Sequence, residues 1–169
     1  MPSLRVRAHA LDLALYRRVR GIARTPDTVR WVRSYSRLGE HGAVWLATGA
    51  AGVVLDGRHR HRRRWARATV CVGGAYAIST SIKLAVGRRR PVIEDLPHLM
   101  ATPTGLSFPS SHATSSFAAA RAFGRLVPSP LLYTAAVGMG VSRLYLGVHY
   151  PSDVAAGAAL GTVLGSVGR

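Results

Sequence analysis

Apolar residues in this chain come in blocks, and arginine-rich connectors separate the blocks. The strongest occupy residues 42–55 and 65–86, parted by the run Arg58-His59-Arg60-His61-Arg62-Arg63-Arg64. Further blocks fall at 111–127, 131–145 and 152–169, with Pro128 and Pro130 marking the stop between the first two of these. That arrangement suits a membrane protein whose loops meet lipid headgroups. The expected fold is all-α: an integral membrane helical bundle with about five apolar helices, multi-pass in the cell membrane. A bilayer core asks for ~20 apolar residues, and several blocks offer nearer ~15 before a charge, so a soluble helical bundle is the competing architecture. Arg121 and Arg125 fit a spanning helix near its end, by snorkelling or against a partner.

Charge narrows the partners. Lys and Arg number 23 against 7 Asp and Glu, a net charge of +16, which calls for an anionic partner. Nucleic acid is the alternative to an anionic membrane surface. The 48% hydrophobic content and the absence of an aromatic or zinc module argue against nucleic acid. The single Cys71 excludes an internal disulfide and a cysteine metal cluster. His9, His41, His59, His61 and His98 have no companions at metal-ligand spacing, and Glu94 with Asp95 reads as a solvated loop, so neither metal nor cofactor is expected.

The N-terminal segment, 1–37, differs from the bundle expected over 38–169. Within 9–24, Leu11, Leu15 and Val19 recur at helical spacing while Arg17, Arg18 and Arg20 lie elsewhere around the helix, which predicts an N-terminal amphipathic helix in the membrane interface. Arg5 and Arg7 precede a stretch broken by Asp12, Arg17 and Arg18, so no cleavable export signal is expected. Thr25-Pro26-Asp27 marks a break and a helix start, with Trp31 and Tyr35 as interfacial anchors. In the last block Gly157, Gly161 and Gly165 recur every four residues, the small-xxx-small pattern of closely packed membrane helices, and Ser152 is the expected N-cap.

Three polar clusters punctuate the apolar blocks: Lys83 with Arg90-Pro91, then Pro109-Ser110-Ser111-His112, then Ser142-Arg143 with His149 and Asp153. If each block crosses the membrane, one ends beside Lys83, the next starts at His112, the next ends at Arg143 and the last starts after His149. All four points then fall on one membrane face. Lys83 and Arg90 lie seven positions apart, two helical turns if the helix persists; the guanidinium forks of Arg90 and Arg143 match phosphate oxygens, and Ser110 and Ser111 open a helix whose free N–H groups seat an anion. Arg88 and Arg89 read as a positive flank. Ser36, Gly39, Glu40 and His41, ahead of the first block, are candidate substrate contacts.

Together the clusters resemble the signature of the type 2 phosphatidic acid phosphatase superfamily, K-x6-RP, PSGH and SR-x5-H-x3-D. The first and third match in full; Ser111 stands where the family has glycine, which puts the loop geometry there in question. The resemblance implies a metal-independent phosphoric ester hydrolase. It implies His149 as nucleophile, His112 as the acid for the leaving group and Asp153 as orienter, with Lys83, Arg90, Ser110, Ser111 and Arg143 as phosphate-binding residues. The implied partner is a lipid phosphate substrate in the bilayer. The stretches 102–109 and 146–153 resemble an actinobacterial subgroup acting on decaprenyl-phosphoryl-5-phosphoribose, with undecaprenyl diphosphate, phosphatidylglycerol phosphate and phosphatidic acid as rivals. A vanadate-dependent haloperoxidase and a non-catalytic basic membrane or nucleic-acid-binding protein are the readings of other classes.

Overall fold

The structure, a computed structural model, describes residues 4–22 and 24–168. Residues 1–3 and 23 of the N-terminal segment, and Arg169 of the bundle, lie outside the described residues, as does part of the stretch weighed for an export signal. Seven α-helices follow in order: α1 Leu4–Arg20, α2 Pro26–Leu38, α3 Ala43–Leu55, α4 His59–Val86, α5 Ser111–Phe123, α6 Ser129–Tyr145 and α7 Pro151–Val167. A 3-10 turn, Glu40–Gly42, joins α2 to α3. The Arg89–Leu106 bridge is the sole β pairing among the described residues.

The helices start and stop for local reasons. Thr25 caps α2 by accepting the Thr28 N–H at 3.2 Å, while the Thr28 hydroxyl accepts the Thr25 N–H at 3.0 Å. The arginine run expected as a connector is instead the opening of α4, which begins at His59. Arg62 Nε donates to the Val53 carbonyl at 2.8 Å, so this helix start also satisfies one of the last carbonyls of α3. The third apolar helix stops at Phe123 rather than 127, because residues 124–127 turn back on it, with Leu126 and Val127 N–H both reaching the Phe123 carbonyl. Tyr150, not Ser152, is the N-cap of α7, and Pro151 opens the helix.

At the centre stands α5, with Ala113, Thr114, Ala118, Ala119 and Phe123 all fully buried. α7 lies directly against it. A Cβ on Gly157, Gly161 or Gly165 would sit 2.6, 2.2 or 2.6 Å from the carbonyl oxygens of Ser110, Thr114 and Ala118. Glycine is therefore what lets the two backbones touch. On the other flank, Trp65 packs on Phe123 with centroids 5.2 Å apart, and Trp45 Nε1 donates to Ser116 Oγ at 2.8 Å.

The outside is apolar. Leu55, Val70 and Val167 are 80%, 76% and 77% exposed, while α7 buries Asp153 and its glycines. On α7, large apolar side chains face outward and small or polar ones inward, the distribution of a helix packed in lipid. α4 is long and apolar enough to cross a bilayer by itself. α6 and α7, at 17 residues each, extend about 25 Å, a little less than the ~30 Å hydrocarbon core.

Candidate active site

Four helix ends meet at one end of the bundle: the end of α4, the start of α5, the end of α6 and the start of α7. Between them lies a cavity of about 170 Å³ lined by Lys83, Arg90, Ser111, His112, Arg143 and His149. Six expected site residues are thus on its wall. Ser110 and Asp153, both fully buried, stand behind it.

Lys83 and Arg90 are held by backbone carbonyls before any ligand enters, and Arg143 by a side-chain hydroxyl. Lys83 Nζ donates to the Pro109 carbonyl at 2.8 Å and approaches that of Ser107 at 3.4 Å, which ties α4 to the loop ahead of α5. Arg90 donates from Nε to the Thr104 carbonyl at 2.8 Å and from Nη1 to the Val148 carbonyl at 2.6 Å. One edge of its fork is therefore engaged by protein, where the sequence suggested a free planar fork. Burial draws the Arg90 guanidinium down to about 10, still charged at neutral pH. Arg143 Nη1 donates to Ser36 Oγ at 2.5 Å, and its buried Nε has no partner.

His149 sits in the loop between α6 and α7, 2% exposed. Its Nδ1 faces Asp153 Oδ2 at 3.5 Å and its Nε2 lies 3.2 Å from Arg90 Nη1. Asp153 is fixed in turn: Oδ2 accepts the Tyr150 N–H and Oδ1 accepts Arg88 Nη1, each at 2.8 Å. Burial, with the positive charges of Arg90, Arg143 and Lys83, holds the His149 imidazole well below its ordinary range. The ring is neutral at physiological pH, with a nitrogen lone pair available. Ser110 Oγ, His112 Nε2, Arg143 Nε and His149 Nδ1 are all buried without a hydrogen-bond partner. Buried polar atoms are rarely left so; Nδ1 faces Asp153, and the other three fit a site shaped for a polar guest.

Ser111 shows no strain. Positive φ among the described non-glycine residues occurs at His41 alone, so Ser111 begins α5 in ordinary helical backbone and needs no glycine. Its Oγ accepts from Ser79 Oγ at 3.1 Å.

Other residues come to the site that the motifs do not mark. Arg88, read as a flanking charge, bonds both Asp153 and Asp12. Tyr76 and Thr80 line the cavity, two turns and one turn before Lys83, a helical spacing that would have revealed them. Thr104 and Pro103 close another side. Of the upstream group, Glu40 and His41 reach the cavity wall, with His41 Nδ1 2.8 Å from Tyr76 Oη; Ser36 holds Arg143; and Gly39 lies against the His112 ring, where a Cβ would be 2.8 Å from its Cδ2.

Known proteins resemble this chain in sequence and in fold. Decaprenylphosphoryl-5-phosphoribose phosphatase of Mycobacterium tuberculosis is 42% identical over 142 residues, covering 84% of this chain and 79% of that protein. Among solved structures, Aquifex aeolicus LpxE superposes with a TM-score of 0.79 at 26% identity, covering 94% of both chains. A transmembrane PAP2-type phosphatidylglycerolphosphate phosphatase from Bacillus subtilis shares the fold with a TM-score of 0.75 at 23% identity, covering 95% of this chain and 84% of its own. The family match runs over residues 64–168, well over half the chain, and takes in all three motif clusters: this chain belongs to the PAP2 superfamily.

Proposed function

We propose that this protein is a multi-pass membrane lipid phosphatase that releases inorganic phosphate from a polyprenyl-linked phosphate ester, with decaprenylphosphoryl-5-phosphoribose as its substrate. The mycobacterial relatives, aligned over most of both chains, support that substrate. The observation that carries the chemistry is the convergence of His112, the buried His149 and three buried cations on one small cavity at the ends of four helices. α3 to α7 are the five spans of the proposed topology, with 1–37 lying outside them. The arginine run opening α4 and the N-terminal helix then sit at opposite ends of the bundle, each beside a headgroup layer.

The reaction runs in two displacements. His149 Nε2 attacks phosphorus; the N–P bond forms as the bond to the sugar oxygen breaks, and His112, protonated beside the bound phosphate, delivers its proton to that oxygen. Asp153 Oδ2 accepts a hydrogen bond from Nδ1–H and stabilises the positive phosphohistidine, tightening from 3.5 Å as charge develops. Water then loses its proton to His112 and attacks the phosphohistidine, breaking N–P and releasing phosphate. Lys83, Arg90 and Arg143, with Ser110, Ser111 and the N–H groups opening α5, neutralise the phosphoryl oxygens throughout.

Purified protein in detergent should release phosphate from decaprenylphosphoryl-5-phosphoribose faster than from undecaprenyl diphosphate, phosphatidylglycerol phosphate or phosphatidic acid. Labelled substrate should leave an acid-labile phosphohistidine that His149→Ala cannot form. Full activity of His149→Ala would remove the mechanism, and equal rates across the panel would remove the substrate.

A further inference from the structure

α1 turns its polar face toward the bundle. Asp12, Tyr16 and Arg20, spaced four residues apart, are buried, whereas Leu11 and Leu15 are 61% and 43% exposed. All three buried residues grip the segment that carries His149. Tyr16 Oη donates to the Gly147 carbonyl at 3.1 Å, and Arg20 Nη1 donates to the Tyr145 carbonyl at 2.8 Å. Gly147 is in the left-handed conformation with φ 76°, and a Cβ there would stand 2.9 Å from both Tyr16 Oη and Arg20 Nε.

Asp12 reaches furthest. Its Oδ1 accepts the Ser152 N–H at 2.8 Å; its Oδ2 accepts the Ser152 hydroxyl at 2.5 Å and Arg88 Nη2 at 2.8 Å. The other arm of Arg88, Nη1, donates to Asp153 Oδ1 at 2.8 Å and to Ser152 Oγ at 2.7 Å. The guanidinium carbon lies 4.2 Å above the Tyr150 ring centroid. A continuous line of contacts therefore runs from α1 through Arg88 to Asp153 and on to His149.

We infer that Asp12 is a positioning residue for the His149–Asp153 pair, acting through Arg88, so that the N-terminal helix is a working part of the phosphatase. An arginine fork shared by two carboxylates is fixed on both arms. Held by Asp12, Arg88 pins Oδ1 of Asp153 and leaves Oδ2 directed at the imidazole. Released from Asp12, Arg88 pairs with Asp153 alone and draws it off His149. Exposed ion pairs count for little, but the side chains of Asp12 and Asp153 are 8% and 0% exposed, so solvent screens this one weakly.

The inference rests on the phosphatase reading above. The test uses full-length protein in detergent with decaprenylphosphoryl-5-phosphoribose and, as a second probe, short-chain phosphatidic acid. Asp12→Asn keeps the shape and an acceptor for the Ser152 N–H but loses the charge on Arg88. Its kcat should fall roughly ten- to a hundredfold with little change in KM or melting temperature. Asp12→Glu should recover part of the loss, and Arg17→Gln, on the exposed side of the same helix, should match the wild type. Arg88→Gln should lose a similar factor, and the double variant should be no slower than the slower single one. A lowered melting temperature with unchanged kcat, or losses that multiply in the double variant, would overturn the inference. Should Asp12→Asn fail to fold, Arg88→Gln at wild-type kcat overturns it alone. Wild-type protein that releases no phosphate from either probe removes the phosphatase reading and this inference with it.

Discussion

Replacing Gly161 by alanine tests the close seam between α5 and α7. The new Cβ would lie 2.2 Å from the Thr114 carbonyl oxygen and 3.0 Å from the Ala118 nitrogen. Both obstacles are backbone, so no side chain can swing clear. Reaching even 3.0 Å from that oxygen requires the helices to part by about 0.8 Å. Overpacking of this kind costs ~1–3 kcal/mol. The displacement also travels, because α5 carries Ser110 and His112 at its start while α7 carries Asp153, with His149 just ahead. A misplacement near 1 Å at reacting groups can cost ~100-fold in rate. Gly161→Ala should therefore melt earlier in detergent and release phosphate far more slowly. Gly74→Ala is the matched control: on α4 its Cβ meets nothing within 4 Å, and alanine there should gain about 0.5–1 kcal/mol of helix stability. Tryptophan fluorescence, reporting on the core residues Trp45 and Trp65, follows unfolding alongside the phosphate assay. A Gly161→Ala protein as stable and as fast as the wild type would refute the seam.

Arg143→Lys keeps the charge but loses the planar fork that reaches Ser36, and kcat/KM should fall roughly a hundredfold; an unchanged value would show that charge alone suffices. Histidine-selective ¹⁵N NMR of the ligand-free protein should find His149 neutral at pH 6.5, because a pKa held well below 6.5 leaves the ring unprotonated there; an imidazolium signal would contradict the burial argument. Orthovanadate should inhibit competitively without conferring halide oxidation, and peroxidase activity with vanadate would favour the haloperoxidase reading.

The residues legible in the sequence are those whose chemistry is unusual where they stand. Lys83, Arg90, His112, Arg143 and His149 interrupt apolar blocks, and helix parity alone carries them to one face. The blocks themselves became helices close to where the hydropathy put them. Less legible was everything decided by a partner far along the chain. Arg88 and Arg90 look alike in a run of arginines; one pairs with carboxylates from α1 and α7, the other holds carbonyls from two loops. The start of α4 was hidden because its first turns are cationic, while its carbonyl partner lies on α3. On α1, periodicity located the exposed Leu11 and Leu15, but the buried face is polar, and no apolar pattern points to Asp12 or Arg20.

In the proposed topology α4 works as a depth gauge. From its cationic start at His59 to Lys83 is about 36 Å of helix, somewhat more than the ~30 Å of hydrocarbon in a bilayer. With the arginine collar moored among the headgroups of one leaflet, Lys83 is delivered to the level of the other. A thicker or thinner membrane would then sink or lift the reaction chamber relative to the phosphate it must receive.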